Sequence, residues 1–80
     1  MKIVIGIPAF NEEQNIERII LQLQSITNTI IVCNDGSKDS TSLLAKKSGA
    51  LVINHPKNLG YGASIRSIFA KAREIDCDVL

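Results

Sequence analysis

Two rhythms of hydrophobic and polar positions alternate along these 80 residues. Lys2 to Ile7 is an almost continuous β-branched run, the pattern of a strand buried on both faces, and Pro8 is expected to end it. Ile16, Ile19, Ile20 and Leu23 then recur at the spacing of one helical face, with Asn11, Glu12 and Glu13 at the front, where caps and negative charge are favoured. Thr29 to Cys33 repeats the strand pattern, "NDGSKDST" supplies turn and cap residues, and "SLLAKKSG" reads as a short helix closed by Gly49. Ala50 to Asn54 predicts a third strand and "HPKNLGYG" a loop. Ile65, Ile68, Phe69, Ala72 and Ile75 form a third helical stripe, and Asp78 to Leu80 begins a fourth strand.

This order predicts an α/β fold over residues 1–80, a doubly wound parallel sheet of βαβαβα(β) form in a single domain. In such sheets ligands bind beyond the carboxyl ends of the strands. Those ends carry "PAFNEE", "NDGSKD" and "HPKNLGYG", so the three polar loops are expected along one edge. That convergence is the main functional signal.

Composition narrows the chemistry. Hydrophobic residues make up 45% and aromatics only 4%, so the core must be aliphatic. A formal net charge of +1, with both signs scattered, gives no electrostatic footprint for nucleic acid. No apolar run approaches the roughly 20 residues of a membrane span. Cys33 and Cys77 lack metal-ligand spacing and read as free thiols of a cytoplasmic protein. His55 has no second histidine to share a metal with and reads as a loop residue with a satisfied imidazole.

Each loop has a bland reading and a chemical one. In the first, Asn11 caps a helix and Phe10 covers the sheet edge; alternatively Phe10 offers its face to a planar base, Glu12 accepts hydrogen bonds from base or ribose, and Pro8 stiffens the loop. The second loop is not a calcium loop, because its glycine is misplaced and Lys46 stands where the bidentate glutamate belongs. Asp39 or Ser40 serves as its cap, leaving Asp35 at the strand tip to pair with the donor edge of a uracil or guanine. In the third, Gly60 and Gly62 lack the third glycine of a dinucleotide fingerprint and suggest close backbone approach. Asn58 fixes that loop, and Arg66 is either a phosphate contact or a solvated helix residue. Asp76-Cys77-Asp78 spells acid, any residue, acid, but belongs to the opposite edge of the sheet and reads as solvated charge.

"IPAFNEEQNI", "IIVCNDGSKDST" and "NLGYGASIR", in that order and spacing, resemble the N-terminal part of family 2 glycosyltransferases of the A fold. The likeness is strongest to the dolichol- and polyprenyl-phosphate mannosyl- and glucosyltransferases. The resemblance implies a base and ribose pocket lined by Pro8, Ala9, Phe10 and Glu12, base recognition by Asp35, and closure by the loop from Asn58 to Gly62. It implies a UDP- or GDP-sugar donor and a lipid-phosphate or glycan acceptor, at the cytoplasmic face of a membrane. It also implies a Mg²⁺ or Mn²⁺ ion held by an Asp-x-Asp after the fourth strand, beyond Leu80, so these 80 residues are expected to contribute no metal ligand and no turnover of their own. Two positions depart from the pattern: Asn34 stands where many relatives have aspartate, and Ile68 where they often have glycine. A rival expectation is a non-catalytic folding unit that binds nothing and self-associates as a homodimer through an unpaired strand edge.

Overall fold

The computed structural model describes residues 3–77. Three strands, β1 (Val4–Ala9), β2 (Thr29–Asn34) and β3 (Leu51–Asn54), alternate with three helices, α1 (Ile16–Leu23), α2 (Thr41–Lys47) and α3 (Tyr61–Cys77). The sheet is parallel with spatial order β1-β2-β3. The expected α/β fold with a parallel sheet is therefore present. The fourth strand expected at Asp78–Leu80 lies outside the described residues, as do the side chains of Asp76 and Cys77.

The central strand β2 is buried from Ile30 to Asn34, and its alternate side chains separate two cores. Ile30 and Val32 pack with Ile16, Ile20 and Ala45 under α1 and α2, while Ile31 and Cys33 pack with Ile68 under α3. Right-handed crossovers explain this division. Moving from β1 to β2 to β3 in one direction places α1 and α2 on the same face. Helix α3 lies on the other face, against β2 and β1.

Strand β1 does not stop at Pro8 as the sequence pattern suggests; it continues through Ala9, with Pro8 opposite Cys33 and Ala9 opposite Asn34. The Ala9 carbonyl accepts the Asp35 amide at 2.8 Å, so Ala9 faces β2 and Pro8 faces the other edge of β1, which is open among the described residues. There its missing N–H costs no ladder bond. The departure at Ile68 has a local answer too: Gly6 stands opposite, and a Cβ at Gly6 would meet Ile68 Cγ2 at 2.4 Å. The small residue that lets helix and strand approach is on the strand.

Helix α2 ends as its sequence suggests. Gly49, at φ +100°, donates to Lys46 O at 3.1 Å, and Ala50 donates to Ala45 O at 3.1 Å. Together these form the double bond of a Schellman C-cap. Helix α1 departs from expectation, starting at Ile16 after a turn in which the Asn15 and Ile16 amides donate to Glu12 O. Asn11 is therefore not its cap.

Candidate functional site

All three loops at the carboxyl ends of the strands meet along one edge, where Pro8, Ala9, Phe10, Asp35, Asn58, Gly60, Tyr61 and Ser64 line a cavity of about 350 Å³. That volume is at the low end of the roughly 300–1,000 Å³ typical of small-molecule sites.

The first two loops are stitched together. Asn11, at φ +53°, donates its amide to Ser37 Oγ at 2.8 Å and accepts the Lys38 amide on Oδ1 at 3.0 Å. The Glu12 amide donates to the buried hydroxyl of Thr41 at 2.8 Å, and that hydroxyl donates to Asp39 Oδ1. Asp39 Oδ1 also accepts the Thr41 amide at 3.0 Å, so Asp39 satisfies the start of α2, whereas Ser40, in the cap position, makes no side-chain cap bond. Hydrogen bonds led by the Thr41 hydroxyl hold the Asp39 carboxyl below the usual carboxylate range. Glu13 accepts the Ser40 amide on Oε2 at 3.3 Å, which makes it a clamp between loops.

Asn34 turns its departure from aspartate to use. Its Nδ2 donates to Asn54 Oδ1 at 3.0 Å while its Oδ1 accepts the Ser37 amide at 3.2 Å. A carboxylate could accept but not donate. Gly36 is a second enabling glycine: at φ +75°, a Cβ there would meet Asn58 N at 2.4 Å. Its absence lets the second and third loops touch.

Asp35 is where the three loops join. It is 5% exposed, and its Oδ1 accepts from His55 Nδ1 at 2.8 Å and from the Leu59 amide at 2.8 Å, while Oδ2 accepts the Gly60 amide at 2.9 Å. The His55 hydrogen bond, followed by the amide bonds, holds this carboxyl below its ordinary range although burial pushes the other way. The sequence reading left Asp35 free for a base; in the fold most of its hydrogen-bonding capacity is already spent on the third loop. Its charge also sits before the first turn of α3, where the helix dipole favours an anion. His55 is satisfied, as expected of a loop imidazole, with Nε2 at 2.8 Å from Ser67 Oγ. Burial raises the neighbouring Cys33 thiol, partly offset by the Ser64 hydroxyl.

Of the nine residues singled out from sequence, Pro8, Ala9, Phe10, Asp35, Asn58 and Gly60 line the cavity. Glu12, Gly62 and Arg66 are not among its lining residues. Glu12 Oε2 accepts from Asn15 Nδ2 at 3.4 Å, and the Arg66 guanidinium folds back toward Gly62. Two lining residues escaped the sequence reading. Tyr61 is 72% exposed beside a 46% exposed Phe10. With two phenylalanines and one tyrosine in the chain, two of three aromatics falling in these loops was the available signal. Ser64 is buried, and among the described residues its hydroxyl makes no hydrogen bond to a nitrogen or oxygen; it lies against the Cys33 thiol, a weak partner. Among the described residues no group of three or more His, Cys, Asp or Glu side chains is placed to hold a metal ion.

Comparison with known proteins places this geometry. Residues 4–74 match the model of glycosyl transferase family 2. A dolichyl-phosphate hexose transferase of Haloferax volcanii is 35% identical over 98% of this chain and 36% of its own length. A UDP-N-acetylglucosamine–dolichyl-phosphate N-acetylglucosaminyltransferase of Methanococcus voltae is 30% identical over 91% of this chain and 36% of its own length. The crystal structure of glucosyl-3-phosphoglycerate synthase from Mycobacterium tuberculosis, in complex with Mn²⁺, UDP and glucosyl-3-phosphoglycerate, superposes with a TM-score of 0.69. It is 31% identical over 80% of this chain and 27% of that one. The chain thus spans between about a quarter and just over a third of the length of these relatives. Three loops gathered at one edge of a parallel sheet, and a family match running from the first strand through most of the last helix, lead to one assignment: this chain belongs to glycosyl transferase family 2.

Proposed function

We propose that this chain forms the nucleotide-binding part of a glycosyltransferase that moves a hexose from a UDP- or GDP-sugar to a lipid phosphate or glycan at the cytoplasmic face of a membrane. The observation that carries this reading is the single cavity on which all three strand-end loops converge, with the exposed ring of Phe10 on its wall. The ring stacks the base, Ala9 holds the ring's backbone through the β1–β2 ladder, Pro8 stiffens it, and Asp35 presents a carboxylate at the cavity. The positive end of α3, a 17-residue helix, opens at the same place. The relatives' names support the lipid-phosphate acceptor, and the UDP and Mn²⁺ of the mycobacterial synthase support a nucleotide donor and a divalent ion. The described residues supply no ligand set for that ion, so their part is to bind and orient the base and ribose.

Titrating the ¹⁵N-labelled protein with UDP and GDP tests the reading. Shift changes concentrated at Ala9, Phe10, Asp35, Asn58 and Gly60 are expected. Saturating nucleotide that leaves those amides unmoved would refute it.

A further inference from the structure

Asp35 offers a ligand less than a free carboxylate does. A carboxylate has about four lone-pair sites. The bonds from His55 and Leu59 fill both on Oδ1, and Gly60 takes one on Oδ2. One acceptor position remains, on Oδ2. His55 is what closes Oδ1: its Nδ1 donates to Asp35, its Nε2 takes the Ser67 hydroxyl, and its side chain is only 9% exposed, so neither ring nor carboxylate can turn away cheaply. The tautomer with hydrogen on Nδ1 satisfies both bonds with a neutral ring.

Nucleobases differ in what they ask of such a group. The pairing edge of guanine carries two adjacent donors, N1–H and the N2 amino group, which need both oxygens of a carboxylate. Uracil carries one donor, N3–H, between two carbonyl oxygens. Building on the pocket proposed above, we infer that the site selects uracil over guanine because His55 leaves Asp35 a single open acceptor. The surroundings agree. The Asn58 amide lines the same cavity and can donate to a flanking carbonyl. His55 is then a positioning residue, acting on the base through Asp35.

Calorimetric binding of UDP, GDP and IDP to the purified protein, with Mg²⁺ in every arm, tests this on the wild type. A guanine donor left unpaired in the pocket should make UDP bind at least about tenfold tighter than GDP. IDP, which lacks the N2 amino group, should bind within about twofold of GDP, because no acceptor on Oδ1 awaits that group. His55→Ala, which reopens Oδ1, should shrink the UDP-to-GDP ratio and raise GDP above IDP, while His55→Gln, which can still donate, should restore the wild-type order. GDP binding as tightly as UDP, or GDP exceeding IDP by about tenfold in the wild type, overturns the inference while leaving the nucleotide site standing. Absence of binding by all three nucleotides overturns the site and the inference with it.

Discussion

Gly6→Ala probes the contact that seats α3 on the sheet. The added Cβ would lie 2.4 Å from Ile68 Cγ2, with Ile68 Cδ1 at 3.4 Å. Carbon atoms in contact rest at about 3.5–4.0 Å, so the pair must separate by more than about 1 Å. The obstructing atom is the methyl of a β-branched side chain, stiff at χ1 in a helix, rather than the free end of a flexible chain. Either Ile68 leaves its rotamer or α3 lifts from β1, and overpacking of this kind costs about 1–3 kcal/mol. Urea unfolding followed by circular dichroism should show that loss as a lower midpoint with an unchanged slope. Ile68→Ala alone should cost about 2–4 kcal/mol, because it empties a site that is 8% exposed. In the double variant the new methyl occupies part of the space vacated, so the two costs should fall short of their sum by at least about 1 kcal/mol. Additivity within about 0.5 kcal/mol would refute the claim that these residues are shaped to each other. Since α3 brings Tyr61 and Ser64 to the cavity, Gly6→Ala should weaken nucleotide binding as well.

Three further outcomes are expected. Phe10→Ala should lower nucleotide affinity by about 1–3 kcal/mol in calorimetry, the range for losing one base-stacking ring, with the unfolding midpoint nearly unchanged because the ring is half exposed. Thr41→Val removes the hydroxyl that accepts the Glu12 amide and donates to Asp39, and should cost about 1–3 kcal/mol in urea unfolding. The folded Asp35 carboxyl titrates below its ordinary value of about 3.9, so its contribution is complete above that pH and is lost as pH falls through the lower, folded value. Amide exchange at Leu59 and Gly60 should therefore stay slow from neutrality to about pH 5 after correction for intrinsic rates. It should quicken below about pH 4, and Asp35→Asn should make it fast at every pH.

Periodicity was enough to read the three strand-helix units and the meeting of their loops, because both follow from local pattern and handedness. What escaped depended on neighbours distant in sequence. Pro8 reads as a strand terminator, and only β1's place at an open edge makes it a strand residue. Asn11 looks like a helix cap, yet its partners are 26 and 27 residues away in the second loop, and it adopts a left-handed conformation to reach them. Asp35 was legible as a strand-tip carboxylate in excess of capping needs. Its engagement by His55, 20 residues on, depends on the register that brings the His55 amide to the Asn34 carbonyl at 2.9 Å. Glu12 and Arg66 were chosen by residue type, and side-chain direction took both away from the cavity lining.

The proline at the edge of β1 that is open among the described residues also limits how the sheet can grow. A strand laid parallel against that edge could pair with the groups that Val4 and Gly6 present, but at Pro8 it would meet a ring where the next donor should be. It would have to diverge there. Divergence at the tip of a parallel sheet opens a crevice beside the strand, and the first side chain beyond Pro8 that remains within the ladder's reach is Ala9, followed by the exposed Phe10. Pro8, whose missing N–H costs the β1–β2 ladder nothing, thereby keeps the mouth of the cavity from being zipped shut.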